Sequence, residues 1–249
     1  MTGFEDHFSA QAREYARFRP RYPGVLFDYL ASISPGRQLA WDCGTGSGQA
    51  ANELAKRFLR VIASDASADQ ISQAAADERI EYRVARADQV DLKSHSVDLI
   101  TASQAVHWFD LEPFYRAVHR VAKPEAILAV WVYHLPLITP AVDQILSRFF
   151  TALLNGYWPE RFHYLEEHYQ TLPFPFPEIS PPYFEMQARW NLDQLAGFLD
   201  TWSGVRRYLQ EQGQHPLNLI WSDLSAAWGA PEKLLDIHWP LYMRVGRVE

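Results

Sequence analysis

Apolar positions along this chain switch between two periods. QLAWD (38–42) and RVIASD (60–65) are short β-rich runs that each end in an acid, and QAANELAKRF (49–58) between them spaces its apolar residues as a helix does. SADQISQAAAD (67–77) opens with Ser67 and has Gln70 three residues on, the spacing of a capping box at a helix start. IEYRVA (80–85), VDLITAS (97–103) and AILAVWVY (126–133) read as the third, fourth and fifth strands. Between the last two, LEPFYRAVHRVA sets Leu111, Phe114, Tyr115, Val118 and Val121 on one helical face, and two helical stretches precede the first strand. Strands alternating with helices imply a parallel sheet covered on both sides. Such sheets bind ligands outside the carboxyl ends of their strands.

From about Leu135 the alternation stops. Residues 141–190 are rich in aromatics and interrupted by PFPFPEISPP, which reads as a helical cap with a proline-rich return. YFEMQARW (183–190) and IHWPLYMRVGRV (237–248) read as closing strands, with helices over about 192–212 and 217–228 between them, and no internal repeat is present. The expected organisation is a single domain, 1–249, in which 1–135 forms the ligand-binding core, 136–182 a cap insertion and 183–249 the closing strands and helices.

Composition narrows the partners. A formal charge of −7 and a pI of about 5.7 disfavour a surface that neutralises nucleic-acid phosphates. The single cysteine, Cys43, excludes an intramolecular disulfide. MTGFEDHFSAQAREYARFRPRYP lacks an apolar signal core, and no segment approaches the roughly 18 apolar residues of a membrane span. The expectation is a soluble cytoplasmic protein with no nucleic-acid or membrane partner; oligomeric state is left open.

LAWDCGTGSGQAA (39–51) carries the chemistry, with Gly44, Gly46 and Gly48 at every second position after Asp42. A phosphate-binding P-loop needs a lysine that is absent until Lys56, and a dinucleotide fingerprint needs glycine or alanine where Gln49 stands. An acid at the end of the first strand also repels a pyrophosphate by roughly 4 kcal/mol at 4 Å and an effective dielectric near 20, and it attracts a cation about as strongly. S-adenosylmethionine answers that requirement, with its sulfonium and ammonium and no phosphate. Asp42 is suited to the ammonium, Asp65 after the second strand to the ribose hydroxyls, and Asp88 after the third to the adenine amino group.

Acid-x-G-x-G-x-G after strand one, an acid after strand two and Ala87-Asp88 after strand three resemble the class I S-adenosylmethionine-dependent methyltransferases. FSAQAREYARFRPRYP, WDCGTGSGQAA, SDASADQI, SVDLITASQAVHWFD and RVAKPEA are similar to the small-molecule branch that includes the yeast-type trans-aconitate methyltransferases. The resemblance covers about the first 135 residues, and TWSGVRRYL (201–209) carries it further. It implies an α/β, Rossmann-like, seven-stranded and mostly parallel sheet with an antiparallel last strand, an N-terminal helical lid and a helical substrate cap. It also implies a cofactor site that includes Ala66, Gln70 and Ser103, with Tyr15 and Arg19 in the lid and Gln104, His107 and Trp108 bordering the methionine moiety and the acceptor. Glu125-Ala126 stands where the family has two glycines, with Pro124 able to open a type I turn.

Each candidate also has a plain structural reading. Gln70 is explained as well by its capping position, Asp110 by a helix N-cap and Trp108 by packing. His107 fits a structural role as well as a general base. Trp202 and Arg206 share a helical face, and Arg206 and Arg207 fit either a substrate site or surface ion pairs with Asp200 and Glu211. SPPY (180–183) imitates an amino-methyltransferase motif yet lies far from the fourth strand. The histidines form no convincing metal set. The leading expectation is methyl transfer to a small molecule, a carboxylic acid if Arg206 or an N-terminal arginine reaches the pocket. The alternatives are a non-catalytic cofactor-binding regulator and an NAD(P)-dependent oxidoreductase.

Overall fold

The computed structural model describes residues 20–249. Seven strands form one sheet in the order β3-β2-β1-β4-β5-β7-β6: β1 (Leu39–Cys43), β2 (Arg60–Asp65), β3 (Ile80–Val84), β4 (Val97–Ser103), β5 (Ala122–Tyr133), β6 (Phe184–Trp190) and β7 (Leu235–Val248). The pairings β3-β2, β2-β1, β1-β4 and β4-β5 are parallel, whereas β7 runs antiparallel to both β5 and β6. This is the Rossmann-like, mostly parallel seven-stranded arrangement that the resemblance implied. The order turns back between β1 and β4, so the adjacent ends of those strands open a crevice.

β5 explains why the sheet is covered twice. Every residue from Ala126 to Tyr133 is buried, with Ile127, Ala129, Trp131 and Tyr133 in one core and Ala126, Leu128, Val130 and Val132 in the other. Such a continuous apolar run is the mark of a strand buried on both faces. The first core also holds residues of α1 (Gly24–Ile33), α2 (Gln49–Leu54), α7 (Leu192–Asp200), α8 (Ser203–Gln212) and α9 (Trp221–Trp228), and the second is closed by α4 (Leu111–Val121). Asp98 ties strand beginnings together: it is 1% exposed, accepts from the Gln38 and Leu39 backbone N–H groups at 2.9 and 3.0 Å, and pairs with Lys123 at 2.7 Å.

Several local expectations change. The helix expected over 49–58 ends at Leu54, and the one expected over 67–77 is only α3 (Ala68–Ser72). Asp110 occupies the N-cap position of α4, but its side chain makes no capping bond. Glu125 has φ +64°, a value that a type I turn after Pro124 does not contain, so the turn has the positive φ of a type II turn instead. That conformation accounts for glycine being the residue expected there. The cap holds α5 (Pro140–Arg148), a π-helical turn (Phe149–Leu153) and α6 (His163–Glu166). SPPY leads into β6 at the far edge of the sheet, with Tyr183 70% exposed.

Candidate cofactor and acceptor site

All three glycines of the turn have positive φ, +68° at Gly44, +56° at Gly46 and +87° at Gly48, which is why they recur at this spacing. A Cβ would meet the Ala105 Cβ at 2.5 Å from Gly44 and the Tyr82 hydroxyl at 2.4 Å from Gly48. The turn is also laced to β2. Gly44 and Thr45 donate to the Ser64 carbonyl at 2.8 and 3.0 Å, and the Gly46 N–H donates to Asp65 Oδ2 at 2.8 Å. The Ser67 N–H donates to Asp65 Oδ1 at 2.9 Å.

Asp42 has no exposed surface. The Thr45 hydroxyl donates to its Oδ2 at 2.5 Å and the Thr101 hydroxyl to its Oδ1 at 2.7 Å. Burial nevertheless raises its pKa to about 6 and outweighs the two hydroxyls. A carboxylate held this way is short of positive charge. Thr45 and Thr101 were missed because a threonine in a strand or glycine turn carries no sequence signal until the fold sets it against a buried acid. Cys43 is buried beside Asp42, and burial pushes its thiol well above the ordinary range, in keeping with a packing role.

The remaining candidates divide by position. Gln70 is buried on α3, its backbone N–H donates to Ser67 Oγ at 3.3 Å, and its Oε1 lies 3.6 Å from a Cβ placed on Gly46, so Ser67 caps the helix, the Gln70 side chain faces the turn, and the expected capping box does not form because the Ser67 N–H goes to Asp65. Ala66 follows β2, and Ala87 and Asp88 follow β3, where Arg86 Nε pairs with Asp88 at 3.0 Å. Ser103 ends β4. Gln104 follows with φ +53°, its N–H donating to the Trp131 carbonyl and its amide to the Tyr133 carbonyl, both at 2.9 Å. This strained residue fastens the end of β4 to the end of β5. Tyr15 and Arg19 lie outside the described residues.

Beyond these strand ends lies a cavity of about 80 Å³ that brings Gln104, His107, Trp108 and Trp202 together with His134 and aromatics of the cap. Phe162 stacks on Trp158 at 4.6 Å, Trp158 stacks on Phe150 at 4.6 Å, and Trp202 meets Phe150 edge-on at 6.0 Å. Gly204 makes this packing possible, because a Cβ there would lie 2.9 Å from the Trp158 ring. His107 is 3% exposed, burial lowers its pKa to about 3, and its Nδ1 lies 2.7 Å from the Tyr169 hydroxyl. Arg206 is not among the cavity-lining residues. Arg207 pairs with Glu211 at 2.8 Å, and Asp200 pairs with His215 at 2.8 Å. His134 escaped the sequence reading because it stands outside every recognisable motif, just past β5.

Residues 41–130 match the family model described as a methyltransferase domain. A candidate methyltransferase of Dictyostelium discoideum is 32% identical over 255 residues, spanning 100% of this chain and 97% of the relative. A candidate type II methyltransferase from Anaeromyxobacter dehalogenans has a solved structure that superposes with a TM-score of 0.86 at 45% identity, covering 92% of this chain and 98% of that one. The chain belongs to the class I S-adenosylmethionine-dependent methyltransferases. A phosphoethanolamine N-methyltransferase of Haemonchus contortus, solved with S-adenosylhomocysteine, shares the fold at a TM-score of 0.50 and 16% identity, covering 99% of this chain and 60% of that one. The cofactor of this methyltransferase is S-adenosylmethionine, and the residues present fit it: the glycine cradle has no room for side chains, and the acids at the strand ends suit a cation and a diol. Among the described residues, no helix is long and apolar enough to cross a membrane.

Proposed function

We propose that this methyltransferase methylates a small molecule held in the cavity beyond β4 and β5. The observation that carries this is the cavity wall, which joins Gln104 at the strained end of β4 to the aromatics of the cap in a space of about 80 Å³. That is roughly half the volume of an engineered cavity that holds benzene, so the enclosed space takes a group smaller than a benzene ring. In this reading Gly44, Gly46 and Gly48 let the backbone approach the cofactor, Asp42 compensates its ammonium, and Asp65 takes the ribose hydroxyls. Ala66, Gln70, Ala87 and Asp88 surround the adenosine, while Ser103 and Gln104 border the methionine moiety. Tyr15 and Arg19 would close over the site. When bound, the cofactor supplies a methyl group on an activated leaving group, so the protein's work is to align the acceptor and keep water away.

The similarity to the trans-aconitate branch favours an organic acid, but the wall does not. Among the described residues, no lysine or arginine lines it. An anion would lose its hydration against aromatic faces, which carry negative potential, with no cation from the described residues in return. Neutral acceptors are therefore favoured over carboxylates. The test is transfer of labelled methyl from S-adenosylmethionine to small metabolites, with protein and nucleic acid as parallel acceptors. Label is expected in small neutral molecules, and incorporation confined to macromolecules would refute the reading.

A further inference from the structure

Gly204 is the second residue of α8 and is buried. Its φ is not positive, unlike that of the turn glycines, so the backbone there would accept alanine, the better helix former. What excludes a side chain is the Trp158 indole. A Cβ on Gly204 would lie 2.9 Å from each of three consecutive atoms of the six-membered ring, Cε3, Cζ3 and Cη2. A point equally close to all three lies over the ring face, and it is well inside the separation of about 3.5 Å at which carbons ordinarily meet.

The indole has little room to retreat. Phe150 and Phe162 both stack on it with centroids at 4.6 Å, and their own centroids are 6.1 Å apart. That separation is too short for rings on opposite faces, so both cover one face and the Gly204 backbone takes the other. The indole N–H also donates to the Phe150 carbonyl at 3.2 Å. Phe150, Trp158 and Phe162 all line the cavity, as do Trp202 and Ser203 just before Gly204. An atom added at residue 204 therefore drives the indole onto two other wall residues, and the cavity has to change shape.

We propose, resting on the acceptor-cavity reading above, that Gly204 is a positioning residue that sets the size of the methyl acceptor by letting Trp158 lie flat against α8. In a space of about 80 Å³ the limit is narrow, and the group that enters is uncharged and smaller than a benzene ring. A methyl group at residue 204 narrows that space through the indole. Trimming the indole widens it.

The test is NMR titration of the protein, saturated with S-adenosylhomocysteine, with xenon and with benzene, two apolar probes of different size. The unaltered protein is expected to bind xenon and exclude benzene. Gly204→Ala should weaken xenon about 10-fold, Trp158→Phe should admit benzene, and the double variant should regain xenon binding because the added methyl no longer meets an indole. A merely destabilising Gly204→Ala would lower the thermal midpoint and leave the xenon affinity of the folded protein as it was. That result, or a double variant no better than Gly204→Ala, would overturn the role of Gly204, and benzene binding to the unaltered protein would overturn the size limit. If the unaltered protein binds neither probe, the acceptor cavity itself is refuted. If probe binding changes as expected while the same metabolites receive labelled methyl in every variant, the cavity is not the acceptor site, and that reading fails with the coupling of Gly204 to Trp158 intact.

Discussion

At the scale of single residues, Asp42 shows how an acid that is obvious in the sequence can act indirectly. Its oxygens face the hydroxyls of Thr45 and Thr101, and its pKa is raised from 3.8 to about 6. A bound ammonium or sulfonium favours the ionised form, so cofactor binding below about pH 6 should release a proton. Affinity for S-adenosylhomocysteine is therefore expected to rise by about 10-fold from pH 4.5 to 6.5 and then level off, each unit of pKa displacement being worth about 1.4 kcal/mol. Asp42→Asn should flatten the profile. Calorimetry in buffers of different ionisation enthalpy would detect the proton, and an equal pH profile in both proteins would show that Asp42 is not coupled to the ligand. The three glycines, Asp42, Asp65 and Asp88 were legible because their spacing and strand-end positions are properties of the chain. Thr45 and Thr101 were not, since a threonine acquires meaning only from the buried acid that the fold sets against it.

At the scale of elements, the strands were more legible than the helices. Strands β1 to β5 are marked by apolar runs, with acids at the ends of β1 and β2, whereas the helix expected through Asp77 stops at Ser72. Alanine-rich sequence favours a helix, but helix α3 is held by Ser67 and Gln70 at its start, and Ala75 and Ala76 are exposed and have no core to meet. The turn into β5 tests backbone chemistry. Glu125 at φ +64° carries a penalty of about 1–2 kcal/mol for a residue with a Cβ, and its ion pair with Arg247 at 3.1 Å is too exposed to repay it. After allowance for the entropy of glycine in the unfolded chain, Glu125→Gly should stabilise the protein by about 0.5–1 kcal/mol. The midpoint of urea unfolding measures this, and a lower midpoint would show that the ion pair matters more than the strain.

For the whole molecule, buried titratable groups oppose one another. His107 and His134 have folded pKa values of about 3 and about 4 against an ordinary 6.5, so they contribute stability that is full above pH 6.5 and lost as pH falls toward those values. Asp42 has the reverse sign, favouring the fold below about 3.8 and losing that contribution as pH rises through about 6. The two histidines are displaced further in total than the one acid, so they prevail. Stability should fall between pH 6.5 and 4, and His107→Phe together with His134→Phe should make that fall shallower. Thermal unfolding across this range would test it, and a slope unchanged in the double variant would mean that other groups control acid sensitivity.

The sequence by itself determined the sheet, the position of the glycine turn and the chemical type of the cofactor, because these depend on local periodicity and on charges set at strand ends. Tertiary structure decided the cavity beyond β4 and β5. Strands β4 and β5, the cap and α8 come from distant parts of the chain, and only their packing makes the cavity. That packing also fixes which polar atoms are already paired. It takes Asp42 out of solvent, engages Nδ1 of His107 with Tyr169, leaves Arg207 on a surface ion pair, and leaves Nε2 of His134 closed to water without a partner among the described residues. Burial and pairing are properties of three-dimensional neighbours, and no spacing along the chain encodes them.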